Sequence, residues 1–265
     1  MRLEYKYLIS NLLLSQLRND LLPFVLYDKH LAENQKEYTV RSIYFDNRKL
    51  DYYYEKIEGL KVRKKLRIRG YNFVEGKNLI FLEIKKKNES YVFKNRAPLN
   101  YEDLYKLFES GDIEKFISGK YDEKQNIDDG KRFFYHFINK SLRPVILVIY
   151  DREAYTCKFD EKLRITFDKN LRYLPFPALK DLYSDNEAHR VLNNYSIVEI
   201  KFRHSIPLWL QNLISKYRIT RKSLSKYVIC LDDYAGHNPL SNNVRFAFSN
   251  NFLPDQHQAD QGIIL

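Results

Sequence analysis

The chain has 265 residues, 44% of them hydrophobic, and is rich in Tyr (22) and Phe (17) but poor in Gly (8); this excludes a low-complexity linker and allows one large domain or two small ones. A formal charge of +11 calls for an anionic partner, whether nucleic acid, acidic lipid or a phosphate compound. Cys157 and Cys230 form no CxxC, which argues against a zinc or disulfide framework, and the N-terminus MRLEYKYLIS is no secretory signal.

The two cysteines are expected as buried free thiols of a reducing compartment. With no run near the roughly 20 apolar residues that span a bilayer, the chain is expected to be soluble and cytoplasmic. In chain order, 2–9 alternates as a strand, and 10–22 carries Leu12, Leu13, Leu17 and Leu21 at helical spacing behind the cap Ser10. Residues 37–46 read as a strand and 48–56 as a short helix. Strands follow over about 60–71, 78–88 and 90–96, with Gly76 in the first turn between them. Residues 100–141 look helical, in pieces broken near Gly111, Gly119 and Gly130. Strands return at 144–156, 162–169 and 195–204, and helices over 206–217 and 221–233 follow. Segment 170–194 is the least patterned part. Residues 236–265, rich in Asn, Gln, Ser and Asp, read as a disordered or loosely packed tail behind one domain over 1–235.

Alternation along a strand sends successive side chains to opposite faces. In 61–69 the odd positions are Lys61, Arg63, Lys65, Arg67 and Arg69, whereas the even ones are Val62, Lys64, Leu66 and Ile68. Glu83, Lys85 and Lys87 oppose Ile80, Leu82 and Ile84. Glu199, Lys201 and Arg203 oppose Val198, Ile200 and Phe202. Lys162, Arg164, Thr166 and Asp168 oppose Leu163, Ile165 and Phe167, and Glu4 shares a face with Lys6. A sheet with one solvated face gives the same alternation, but such faces mix signs and include Ser, Thr, Asn and Gln. A strongly basic face repels itself unless an anion lies on it. An antiparallel barrel with its apolar face under helices and its polar face inside accommodates both. Duplex nucleic acid is too wide for so small a bore, and a single strand would want aromatics along the groove. A bare phosphate chain needs only charge and hydrogen bonds. No GxxxxGK[ST] loop is present, which excludes a P-loop enzyme. The glutamates among the cations either pair with them or hold a divalent metal.

Read in order, LEYKYLI (3–9), RSIYFDN (41–47), VRKKLRIRGY (62–71), FLEIKKK (81–87), KNRAPL (94–99), RPVILVIYDREAY (143–155), LRITFD (163–168), IVEIKF (197–202) and SLSKY (223–227) resemble the VTC domain. That is the polyphosphate-polymerising domain of the triphosphate tunnel, or CYTH-like, superfamily. The resemblance covers about residues 1–233. It implies an α+β fold: an antiparallel, roughly eight-stranded tunnel barrel with helices around it. It also implies transfer of the γ-phosphate of ATP to polyphosphate or pyrophosphate, with Mn²⁺ or Mg²⁺. A tunnel-type triphosphatase and a non-catalytic polyphosphate-binding module are the rival readings. Carried over by motif, Arg67, Arg69, Arg152, Arg164 and Lys226 would be catalytic. Lys6, Lys85, Arg96, Tyr150, Lys201 and Ser225 would hold phosphate. Glu199 would be the metal ligand, with Glu4 and Glu83 as further candidates. Leu3-Glu4-Tyr5-Lys6 keeps only part of the ExExK motif of the hydrolytic branch. The sensor domain and membrane segments of the eukaryotic complex have no counterpart in the sequence, so a separate membrane protein is the expected partner.

Overall fold

The computed structural model describes residues 3–28, 36–72, 78–89, 91–117 and 122–237. Its strands are β1 (Leu3–Ser10), β2 (Val25–Tyr27), β3 (Tyr38–Asp46), β4 (Val62–Tyr71), β5 (Leu79–Asn88), β6 (Tyr91–Asn100), β7 (Arg143–Cys157), β8 (Arg164–Pro175), β9 (His189–Arg190) and β10 (Tyr195–Phe202). The helices are α1 (Asn11–Leu21), α2 (Asp51–Ile57), α3 (Leu104–Ser110), α4 (Ile113–Phe116), α5 (Glu123–Asn139), α6 (Leu208–Lys216) and α7 (Lys226–His237). All strands join one antiparallel sheet. Eight of them follow the order β1-β10-β8-β7-β3-β4-β5-β6, while β2 pairs with β7 and β9 with β8. Among the described residues no ladder joins the two ends of this path. Side chains nevertheless approach across the gap, Glu4 of the end strand β1 lying 3.8 Å from Lys85 of β5, the strand next to the other end.

The alternation predicts the two faces. Ile43, Phe45, Leu66, Ile68, Ile80, Leu82 and Ile84 turn outward, where α3, α4 and α5 cover them through Leu104, Leu107, Phe133 and Phe134. Tyr7, Ile9, Ile165, Phe167, Val198 and Ile200 turn outward under α1 and α6, using Leu14, Leu17, Leu21 and Leu210. Each such side chain contributes about 1.5–3 kcal/mol when it leaves water. The concave face is divided. One part is filled by α7, whose Tyr227, Val228, Cys230 and Leu231 pack on Val40, Ile146, Val148, Leu171 and Tyr173. The other part is the cationic hollow described below.

Three departures from the sequence reading have physical causes. Strand β8 runs on to Pro175 instead of ending near 169, because Asn170, at φ +50°, makes a bulge. The register slips between Ile149 and Asp151 there, so Asp168 and Leu171, three apart, both face inward. Gly130 does not break the helix. It lies inside α5, where a Cβ would stand 2.9 Å from Ile113 and 3.1 Å from Ile117, so the residue permits close packing of α5 on α4. Gly111, by contrast, takes φ +70° and ends α3 as expected. The short strands β2 and β9 were not anticipated. Gly76, Gly119 and the expected tail beyond His237 lie outside the described residues. Cys157 and Cys230 are free and buried.

Candidate functional site

The concave face opens on a cavity of about 460 Å³ lined by twelve Lys and Arg side chains and two carboxylates. Its walls come from β1, α2, β3, β4, β5, β6, β7, β10 and the start of α7. The strands place their charges there by period two, so the cations of β4 arrive as a column: Arg63, Lys65, Arg67 and Arg69.

At the inner end, Arg152 donates Nε and Nη2 to the two oxygens of Asp168 at 2.6 and 2.7 Å, and Nη2 also reaches Glu199 at 3.3 Å. Lys226, the first residue of α7, donates to Glu199 at 2.9 Å and pairs with Asp168. All four are buried. Lys6 and Lys201 each stand 3.4 Å from Glu199, and Lys6 lies 3.1 Å from Glu4. Burial pushes the Glu199 carboxyl up, but Lys226, Lys6, Lys201 and Arg152 together hold it well below the carboxylate range. Burial also opposes ionisation of Glu4, and Lys6 leads the cations that bring it down to about 2. Lys201 behaves differently: burial lowers it to about 8, with Glu199 only partly restoring it.

A second inner cluster surrounds Glu83, which is 1% exposed. Arg67 donates to it at 2.8 Å, while Lys94 lies at 2.8 Å, Arg96 at 3.3 Å and Arg69 at 3.9 Å. Burial raises this carboxyl, and Arg67 and Arg69 outweigh it, so it stays ionised. Arg67 also donates to the Tyr44 hydroxyl at 2.9 Å. Lys226 and Arg152 stand over the Tyr150 ring, at 4.6 and 5.2 Å from its centroid. Ser225 sits at the N-terminus of α7, accepting from Val228 N–H and from Lys65 at 2.6 Å. Helix N-termini of this kind favour anions.

Of the residues singled out in the sequence, Arg67, Arg69, Arg152, Lys226, Lys6, Lys85, Tyr150, Lys201, Ser225, Glu199 and Glu4 line this one cavity. Arg96, Arg164 and Glu83 stand outside its lining. Arg96 lies over the Phe81 ring at 3.3 Å, and Arg164 pairs with Asp28 at 2.7 Å. Glu83 is enclosed by its four cations. Lys61 and Arg203, placed on charged faces by alternation, are exposed at strand ends; Lys61 is 3.8 Å from Glu89. The site reading left out Tyr44, Lys56, Arg63, Lys65, Lys87, Asp168 and Arg221. Strand alternation flags Arg63, Lys65, Lys87 and Asp168. Lys56 on α2 and Arg221 before α7 carry no such signal.

Glu4 and Glu199 both present ionised oxygens to the cavity and share Lys6 and Lys201 as neighbours. Among the described residues no group of three His, Cys, Asp or Glu forms a protein-only metal cage. Two carboxylates suit a small divalent ion that completes its shell with phosphate oxygens and water.

Comparison with known proteins places the sequence in a family. The VTC domain model matches residues 1–233. The chain is 24% identical over 237 residues to vacuolar transporter chaperone complex subunit 4 of Schizosaccharomyces pombe, covering 75% of this chain and 32% of that protein. It is 26% identical over 230 residues to subunit 4 of Trypanosoma brucei brucei, covering 76% and 29%. For subunit 2 of Saccharomyces cerevisiae the identity is 25% over 233 residues, covering 69% and 27%. The chain spans about a third of the length of these curated relatives. Among solved structures, a Hippeastrum chain described as having a dominant triphosphatase activity aligns with TM-score 0.44 and 13% identity, covering 86% of this chain and 94% of that one. A likeness at that level carries no argument about function. The family match takes in every strand of the sheet and the N-terminal part of α7 with Ser225 and Lys226, and on that match the chain belongs to the VTC domain family.

Proposed function

We propose that this chain is a phosphotransferase that moves the γ-phosphoryl group of ATP onto the end of a polyphosphate or pyrophosphate chain. The observation that carries the reading is the lining itself: twelve cations against two carboxylates around about 460 Å³. A volume of that order suits a small-molecule site, in the range of roughly 300–1,000 Å³. Such an excess of buried positive charge is unfavourable until an anion of high charge density occupies it.

Phosphoryl transfer passes through a loose, charge-spread transition state, so catalysis is mostly positioning and electrostatic stabilisation. Arg67 and Arg69 present guanidinium groups fixed by Glu83, Tyr44 and Tyr150. Arg152 and Lys226 are fixed by Asp168 and Glu199. Side chains held this way need no reorganisation as charge develops. The acceptor phosphate is already ionised near neutral pH and needs no strong base. Burial opposes ionisation of Glu4 and Glu199, but the neighbouring cations hold Glu4 at about 2 and Glu199 well below its usual range, so both face the cavity as carboxylates. Glu199, with Glu4 beside it, would hold the Mn²⁺ or Mg²⁺ ion. The bound ion would neutralise charge on the phosphate oxygens.

The test is product analysis after incubation with ATP and Mn²⁺. Polyphosphate chains are expected from the wild type and not from Arg67→Ala. Orthophosphate without chains would establish the hydrolase, and no ATP consumption with any divalent ion would leave a binding module. The relatives are named as complex subunits, and we extend that to this chain as work beside a separate membrane protein. No helix among the described residues is long and apolar enough to cross a membrane itself.

A further inference from the structure

Helices do not cover the convex face of the sheet along its whole length. On β4 and β5 the outward side chains of the helix-covered core end at Leu66 and Ile84, and on β6 Asn95 next to them is bonded to Asp129 of α5. Beyond that line alternation sends two further rows to the same face. In the first, Lys64 lies opposite Lys86, which lies opposite Phe93. In the second, Val62 lies opposite Asn88, which lies opposite Tyr91. Tyr91, Phe93 and Val62 are 63, 55 and 47% exposed, so none of the three serves the core. The last turns of α5 border the first row. Burial, then Lys64, Lys140 and Lys86, pulls His136 below the ordinary histidine value, and the exposed Tyr135 meets the His136 ring edge-on at 5.5 Å.

The cations of this face are weakly compensated. Lys64, Lys86 and Lys140 form no ion pair among the described residues. Glu55, which accepts from the Lys64 backbone N–H at 2.8 Å, is set against Lys64 and Lys140, and Glu89 at the β5–β6 turn lies 3.8 Å from Lys61 instead. Exposed apolar side chains are ordinary when scattered. Here three stand in adjacent register positions beside a Lys64–Lys86 pair, and like charges directly across a ladder destabilise a sheet. A protein partner matches this composition poorly, because protein interfaces favour Arg and exclude Lys, whereas these three cations are lysines. A second copy of the chain would set the same lysines against each other across a two-fold axis. An anionic bilayer matches both parts. Its headgroups take the ammonium groups, and aromatic and branched side chains enter the boundary beneath them.

We infer that Val62, Lys64, Lys86, Tyr91, Phe93 and Lys140 form a docking surface for an anionic lipid bilayer, so that the chain itself touches lipid. The inference concerns the convex face and does not rest on the polyphosphate reading. Tyr91 and Phe93 enter the headgroup boundary from the β5–β6 hairpin, while the lysines stay level with the lipid charges. The same hairpin turns Lys87 and Val92 to its other face, where they line the cavity, so docking sets one end of the hollow close to the bilayer.

The test is flotation of the full chain with vesicles of equal parts phosphatidylcholine and phosphatidylserine, and with vesicles of phosphatidylcholine alone. Wild type is expected to float with the mixed vesicles and not with the neutral ones. A lysine at such a surface contributes about fivefold, so Lys64→Gln/Lys86→Gln should lose about tenfold or more in vesicle affinity, and Tyr91→Ser/Phe93→Ser a comparable amount. Lys162→Gln/Arg203→Gln removes the same charge from exposed positions elsewhere and should lose less than about twofold. Tripolyphosphate affinity should not move in either surface variant, because none of the four residues lines the cavity. In Phe93→Trp, indole emission should shift to the blue on mixed vesicles, over a constant background from Trp209, which is stacked on Phe24. A wild type that stays behind, that floats equally with neutral vesicles, or that loses as much through the control pair would each overturn the docking surface. So would a loss of tripolyphosphate affinity in Lys64→Gln/Lys86→Gln as large as the loss on vesicles, which would assign these lysines to free phosphate. Self-association in sedimentation that Tyr91→Ser/Phe93→Ser abolishes would give the face to a second copy instead. The phosphotransferase reading stands or falls separately, on its product assay.

Discussion

Two stretches of one ladder, four residues apart, treat the same kind of side chain in opposite ways. Arg67 faces Glu83 and is held by it, whereas Arg63 faces Lys87 and is held by nothing of opposite charge among the described residues. The contrast teaches how a sheet can separate positioning from capture. A cation with its own carboxylate is oriented before the substrate arrives and loses part of its attraction for it. A cation without one keeps its full attraction and gives up fixed geometry.

The comparison can be broken most forcefully at Arg152. Its removal strands Asp168 and Glu199 in a buried site with Lys226 as their nearest compensation. Arg152→Ala is expected to cost roughly 3–5 kcal/mol in denaturant unfolding and to abolish turnover. A loss below about 1 kcal/mol would mean that the inner charges are not mutually held. Next comes Arg67→Ala, where Glu83 keeps Arg69, Lys94 and Arg96. Polyphosphate formation at saturating ATP should fall by about a hundredfold or more, with a smaller loss of stability than in Arg152→Ala.

Lys201 sharpens the contrast through pH. Its folded value is depressed to about 8, and an arriving anion favours the ammonium form. Tripolyphosphate should therefore bind best below pH 8 and weaken as pH rises through that value, by at most about tenfold per unit. In Lys201→Arg the decline should vanish from this window; an unchanged profile would assign it to another group. The smallest effects belong to Lys61→Gln and Arg203→Gln, exposed cations outside the hollow. Stability should stay within about 0.5 kcal/mol of wild type, and tripolyphosphate affinity should not move. If it did, net charge rather than the concave face would govern binding.

What could be read from the sequence is the part encoded in a single strand. Period-two alternation assigns Arg67, Arg69, Lys85, Lys201 and Glu199 to one face and Leu66, Ile68, Ile84 and Ile200 to the other, and the fold keeps both sets apart. It could not say which charged residues near strand ends reach the hollow, so Lys61 and Arg203 were included and Lys56 and Arg221 passed over. Those last two arrive from a helix and a loop, and only tertiary packing brings them in. Nor does alternation identify partners. Glu83 lies on the charged face, yet four cations surround it, and this follows from the register of β4, β5 and β6 rather than from any local motif. Arg96 and Arg164 were expected at phosphate, but one lies over Phe81 and the other pairs with Asp28, both outside the cavity lining.

The bulge at Asn170 also bears on how the gene can vary. Upstream of it, strand β8 presents Asp168 to the charged hollow; downstream, it presents Leu171 and Tyr173 to α7. Flattening the bulge with every residue kept would restore simple alternation and rotate the distal half of the strand. Arg172 would then swing beneath α7, and Tyr173 would lose its bond to Asp233. Substitutions at 170 that tolerate a left-handed backbone, Gly above all, keep both compartments in phase. A change that flattens the bulge would misalign them, whereas loss of residue 170 itself would leave Asp168, Leu171 and Tyr173 on one face by simple alternation.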